Sequence, residues 1–229
     1  MTSERCLEWD GCINVRDLGG LSTGDGCRTR WGAVVRSDHP ARLTAAGWSA
    51  LQEHGIRTII SLCTKGLPED MPDAAPRPLD LTSISVAVED LTDTEFAQQW
   101  ASSDLWCTPL YYRDALQRWP DLHAAAIAAI ANAQPGGVLI HCKRGHDRTG
   151  IVTMLLLALA GVAHGDIITD YELSHDPERE ELLRQENTST RDVLQATLDW
   201  LDVVPYLHAG GLSQAEMDAV HARLLEPRC

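Results

Sequence analysis

Along the chain, short aliphatic and β-branched runs alternate with stretches whose apolar positions recur every three or four residues. Ala33-Val34-Val35 reads as a buried strand that closes with Arg36-Ser37-Asp38. Thr44 reads as the N-cap of a helix through Trp48 and Leu51, ended at Gly55. Ile56 to Leu62, rich in β-branched residues, predicts a second buried strand. Gly136-Gly137 turns the chain into Val138-Leu139-Ile140, a third strand, and the apolar stretch Thr149 to Ala160 predicts a central helix. Residues 94–133 read as helical, broken near Pro109 and Pro120. Asp176-Pro177 supplies an N-cap and first-turn proline. Ser213-Gln214-Ala215-Glu216 is a capping box, followed by Met217, Val220, Leu224 and Leu225 at helical spacing. Between these elements, residues 64–93 carry Pro68, Pro72, Pro76 and Pro78 and predict a long loop with one strand near Ser83 to Val88. Interleaved strands and helices with no linker predict a single α/β domain over residues 1–229, a central mostly parallel sheet flanked by helices.

Composition narrows the classes of partner. Of 229 residues 44% are apolar, enough for a core without disulfide or metal staples. Nineteen basic against 33 acidic residues leave a net charge of −14, a field that repels nucleic acid and anionic membrane surfaces. The cysteines Cys6, Cys12, Cys27, Cys63, Cys107, Cys142 and Cys229 are odd in number and never spaced Cys-x-x-Cys, which argues against a disulfide framework or a zinc site. Met1 to Cys6 shows no basic region leading into an apolar stretch. The longest apolar run, Ile151 to Ala163, falls short of the roughly 20 residues a membrane span needs. A cytoplasmic location, no cofactor and no bound metal are the expectations.

The chemistry concentrates in His141-Cys142-Lys143-Arg144-Gly145-His146-Asp147-Arg148-Thr149-Gly150. A buried strand delivers Cys142, and a helix begins a few residues later. Backbone N–H groups of the loop and the helix N-terminus favour negative charge there, and Arg148 adds a cation, so the surroundings favour thiolate over thiol. The same donors suit the terminal oxygens of a phosphate, with Arg148 as a planar fork onto two of them. The pattern points to nucleophilic attack on phosphorus, a cysteinyl-phosphate intermediate and its hydrolysis, with Thr149 hydrogen-bonding the sulfur. Lys143, Arg144, Gly145, His146 and Gly150 are then substrate-binding candidates, and His141 supports the loop from behind. The opposing readings are a buried inert thiol, as expected of Cys63 or Cys107, and metal ligation by His141, Cys142 and His146. The neighbouring cations disfavour the metal.

Cys142 followed by five residues, Arg148 and Thr149 resembles the signature of the protein tyrosine phosphatase superfamily. Asn14-Val15-Arg16-Asp17-Leu18-Gly19-Gly20, Arg36-Ser37-Asp38, Leu43-Thr44 with Gly47, Gly55-Ile56-Arg57-Thr58, and Asp170-Tyr171 with Ser174 are similar to the bacterial tyrosine/lipid phosphatase branch, which has mycobacterial members. The resemblance runs from about residue 9 to the C-terminus. It implies a tyrosine-phosphatase-like fold and a cysteine-dependent phosphomonoesterase acting on phosphotyrosine or phosphoinositide-like esters, with inorganic phosphate as product. Two departures stand out. Relatives carry Lys where this chain has His146, which as a titratable group would weaken polyanion binding above pH 7. Relatives usually have Asp-Leu-Arg where Ser61-Leu62-Cys63 stands, so a substrate contact or salt bridge is expected to be missing.

The leaving oxygen needs a proton donor. Asp147, fixed inside the loop, is the favoured candidate, and the resemblance implies an acid/base or substrate-contact role for it. Asp80, Glu89, Asp90, Asp93 and Asp104 of the acidic region are the alternatives. Arg36, Asp38, Asp17 and Arg16 read equally as substrate contacts or as a buried ion-pair network, and Tyr111-Tyr112-Arg113 as cavity mouth or helix surface. Other readings of the whole chain are a phosphatase of a soluble metabolite, an idle phosphate-binding module and a sulfurtransferase. The sequence leaves the oligomeric state open.

Overall fold

The computed structural model describes residues 2–68, 71–174 and 176–227. After the short helix α1 (Thr2–Arg5) come β1 (Arg16–Asp17), β2 (Val34–Ser37), α2 (Ala45–Glu53), β3 (Ile56–Lys65) and β4 (Thr82–Asp90). Then follow α3 (Thr94–Phe96), α4 (Tyr112–Arg118), α5 (Pro120–Ala131), β5 (Gly137–His141), α6 (Asp147–Leu159) and α7 (His164–Glu172). Helices α8 (Pro177–Gln185), α9 (Thr190–Trp200), α10 (Val203–Ala209) and α11 (Gln214–Leu224) close the chain. The strands form one sheet in the order β1-β2-β5-β3-β4, parallel throughout except for the antiparallel pair β1 and β2.

Alternation along the strands explains the layers. Val34, Ile60, Leu62, Val138 and Ile140 point to the larger core, under α5 and α6. Val35, Ile59 and Leu139 point to the other face, where Trp9, Leu43, Trp48 and Leu51 cover them. Helix α6 is buried on nearly every side, which is why its sequence is apolar all round. The caps fall where the sequence places them: Thr44 accepts from the Gly47 N–H, Asp176 from those of Glu178 and Arg179, and Ser213 and Glu216 form the reciprocal box.

Over residues 64–93 the strand expected near Ser83 to Val88 is present, running from Thr82 to Asp90, while the loop before it is shorter than expected. Strand β3 runs on to Lys65, and β4 is a full strand of nine residues beside it. Cys63 pairs with Ala87 but Thr64 pairs with Glu89, so Val88 is the extra residue of a β-bulge. The bulge breaks the two-residue alternation, letting both Val88 and Glu89 turn inward. An exposed outer edge had diluted the apolar signal of this strand. The stretch after it is less helical than its composition suggests: α3 is three residues long, and turns lead from it to Pro109.

Candidate active site

Strand β5 ends at His141 and α6 begins at Asp147, so the intervening loop lies at the carboxyl edge of the parallel sheet. Its carbonyls are held from outside. The His39 N–H donates to Lys143 O at 3.4 Å, Asn14 Nδ2 to Arg144 O at 3.1 Å, and Arg36 Nη2 to Gly145 O at 2.8 Å. In a trans peptide unit the N–H points opposite to the C=O, so the N–H groups of Arg144, Gly145 and His146 face inward. Gly145 makes the turn possible: its φ is +72°, and a Cβ there would sit 2.4 Å from the Ser37 carbonyl oxygen.

This loop floors a cavity of about 330 Å³. Cys142, 4% exposed, lies at its base beside Lys143, Arg144, Asp147 and Arg148, while Leu67, Met71, Trp106 and Tyr111 build an apolar wall. Arg148 Nη1 donates to the Leu62 carbonyl at 2.9 Å. This main-chain tether holds whatever side chains flank it, so Ser61 and Cys63 do not remove it. Thr149 Oγ1 is buried with no hydrogen-bond partner among the described residues, and a Cβ on Gly150 would strike the Tyr171 ring at 2.5 Å.

Two carboxyl groups share the cavity. Asp147 Oδ1 accepts from Arg179 Nη2 at 2.8 Å, and burial raises its carboxyl above the usual range against the pull of Arg179, Arg148 and Arg144. Glu89, 1% exposed, accepts from Tyr111 at 2.6 Å on Oε1 and from Thr64 at 2.9 Å on Oε2. Burial raises Glu89 too, opposed first by the charge of Arg148. The other acidic candidates lie elsewhere. Asp80 bonds Gln52, Asp90 pairs with Thr92 and Lys65, Asp93 caps α3 and pairs with Arg118, and Asp104 lines the adjoining groove.

Several sequence candidates make their contacts with the protein's own groups. Asp170, fully buried, receives Arg5, Arg16 and Arg36, and those guanidinium groups hold its carboxyl well below the usual range despite the cost of burial. Arg36 therefore braces the loop rather than lining the cavity. Asp38 accepts the N–H groups of Ile13 and Asn14, and Asp17 those of Gly19 and Gly32 together with His54. His141 sits behind the loop with Nδ1 3.2 Å from its neighbour's carbonyl, and burial pushes it down to about 3. His146 is also pushed down to about 3, by burial and by Arg179 and Arg36, so it stays neutral and the expected charge change near pH 7 does not arise. Tyr111 lines the cavity, Tyr112 hydrogen-bonds the Asp147 carbonyl, and Arg113 stacks over Trp200. Cys107, expected to be buried, lies exposed on the cavity rim with φ of +87°, and Cys63 is half-buried. Cys229 lies outside the described residues. Arg179, 31 residues beyond Arg148, lies outside the signature, and an arginine in the charged helix α8, which also carries Arg184, gives no signal of burial. Among the described residues no group of three or more His, Cys, Asp or Glu side chains is arranged to hold a metal ion, and no helix is long and apolar enough to cross a membrane.

Residues 7–226 match the tyrosine phosphatase family. The chain belongs to that family. It is 33% identical over 178 residues to a putative tyrosine-protein phosphatase of Cupriavidus necator, covering 72% of this chain and 61% of that one. It is 26% identical over 196 residues to the triple specificity protein phosphatase PtpB of Mycobacterium tuberculosis, covering 74% of this chain and 69% of that one. The chain spans about half to two thirds of the length of the curated relatives it matches. Among solved structures, the core catalytic domain of the PP-IP phosphatase SIW14 from S. cerevisiae aligns at 17% identity with a TM-score of 0.47, over 86% of this chain and 90% of that one.

Proposed function

We propose that this chain is a cysteine-dependent phosphomonoesterase acting on aryl or phosphoinositide-like phosphate esters. The observation that carries the reading is the buried Cys142 at the base of a cavity whose loop turns its carbonyls outward. The inward N–H groups and Arg148 hold the phosphoryl oxygens, and Lys143 and Arg144 add positive charge at the mouth. Cys142 Sγ attacks phosphorus, the bond to the ester oxygen breaks, and Asp147 gives its proton to the departing oxygen. Water then attacks the cysteinyl-phosphate, Asp147 takes the water's proton, and inorganic phosphate leaves with the thiolate restored. Thr149 Oγ1 donates to the sulfur as it departs. Glu89, engaged at both oxygens by Tyr111 and Thr64, is less free than Asp147 to carry the proton.

The apolar wall of Leu67, Met71, Trp106 and Tyr111 favours an aromatic or acyl-bearing ester over a bare sugar phosphate. The net charge of −14 supports action without nucleic acid or stable membrane attachment. Turnover in chelator of p-nitrophenyl phosphate, phosphotyrosine peptides, phosphoinositides and sugar and nucleotide phosphates tests the reading. Activity in the wild type with none in Cys142→Ser supports it; equal activity in both overturns it.

A further inference from the structure

Arg179 is a cation only 4% exposed, brought by α8 against the loop. Its Nη2 donates to Asp147 Oδ1 and its Nη1 to the Tyr171 hydroxyl, each at 2.8 Å. The Tyr171 and Tyr112 hydroxyls share a hydrogen bond of 3.0 Å, and Tyr112 donates to the Asp147 main-chain carbonyl at 3.1 Å. The circuit closes on itself: one residue is gripped at its carboxyl by Arg179 and at its backbone by the tyrosine pair that Arg179 also holds. A buried arginine is costly to desolvate, and a structural salt bridge alone needs no second contact to the same residue's main chain. Both tyrosines are buried, and Gly150 leaves the room in which they meet the helix.

We propose that Arg179 is the positioning residue of the proton-transfer step, setting where the Asp147 carboxyl points over the cavity and how readily it ionises. This rests on the reading of Asp147 as the proton carrier. The other groups facing Asp147 are Arg144 and Arg148 of the loop, Glu89 of β4, Tyr111, Tyr112, Tyr171 and Cys107. Of the cations, Arg179 favours its ionised form most and touches it directly. Its removal therefore has two opposite signatures. The carboxyl loses its aim, and it holds its proton to higher pH.

The test compares phenyl phosphate, whose leaving oxygen needs a proton, with 2,4-dinitrophenyl phosphate, whose leaving oxygen does not. In Arg179→Met, kcat/KM on phenyl phosphate, which reports the leaving-group step apart from the shared hydrolysis, falls about 10- to 100-fold, a part of the roughly 100- to 10,000-fold that general acid catalysis supplies, and changes less than about threefold on the dinitrophenyl ester. The alkaline limb of the phenyl phosphate profile moves to higher pH, whereas in Asp147→Asn it disappears. Arg179→Lys, which keeps the charge but not the two-pronged grip, retains the limb's wild-type position with a reduced maximum. That variant decides the matter should Arg179→Met fail to fold. Wild-type leaving-group dependence and an unmoved limb in Arg179→Met, or in its place a wild-type maximum on phenyl phosphate in Arg179→Lys, overturn the proposal. If Cys142→Ser is inactive while that happens, the phosphatase reading stands and the positioning role alone is lost.

Discussion

Arg36 donates to the carbonyl oxygen of Gly145 at 2.8 Å while its other terminal nitrogen holds Asp170 at the same distance. The guanidinium thus ties the loop's left-handed turn to a carboxylate on α7. Strand register puts it there, because Arg36 pairs with Ile140 one residue before the strand ends.

That turn admits no side chain. Gly145→Ala faces about 1–3 kcal/mol of backbone strain, and its Cβ would overlap the Ser37 carbonyl. The expected result is a lower urea midpoint together with loss of phosphate binding by calorimetry. A variant as stable and as tight-binding as the wild type would contradict the geometry described here.

Asp170 anchors three buried arginines, and Asp170→Asn leaves their charge uncompensated at a cost of about 3–5 kcal/mol. In the fold its carboxyl loses its charge only at a lower pH than in the unfolded chain, so its contribution is complete above about pH 4 and erodes as the pH falls toward the folded value. Urea melts of wild type and variant are expected to differ most at pH 7 and to converge in strong acid.

Buried histidines act at milder pH. His141 and His146 are pushed down to about 3 and His123 to about 4, all chiefly by burial. The unfolded chain takes up protons near pH 6.5 that the fold refuses, so stability is present above that pH and falls as pH drops toward 4. Each histidine contributes a slope of up to about 1.4 kcal/mol per pH unit. His123→Gln is expected to flatten the decline of the urea midpoint between pH 6.5 and 4.5, and His146 should add no step to the KM profile between pH 5 and 8.

Inorganic phosphate or vanadate should stabilise the fold, by about 2.7 kcal/mol at one hundred times the dissociation constant. Arg148→Lys, which replaces the planar fork with a point charge, is expected to lose most of that thermal shift. Cys142→Ser is expected to keep it.

Much of this was legible in the chain. The strand leading to His141, the helix after Asp147, and the caps at Thr44, Asp176 and Ser213 follow from local rules that act within a few residues. What escaped depends on residues far apart. Glu89 stands among five acidic candidates, and the bulge that turns it alone into the cavity is hidden, because alternation cannot announce its own interruption. Arg179 meets Asp147 because α7 and α8 fold back over the loop, and His146 loses its charge to burial that its neighbours in sequence do not reveal. Asp17, Arg36 and Asp38 find their partners in main-chain groups, in His54, in Arg42 or in Asp170, contacts most of which span residues too far apart in sequence for local reading.

The braces on the loop also fix when it comes into being. Asn14 and Arg144 are 130 residues apart, Arg36 and Gly145 109, and Arg5 and Asp170 165. Contacts of such span form late, after local helices and neighbouring strands. A nascent chain that has emerged through Thr149 carries every residue of the signature, yet it lacks the carboxylate that gathers Arg5, Arg16 and Arg36. The anion cradle therefore closes only after α7 has been synthesised and docked, which makes recovery of phosphate binding a readout of that docking step.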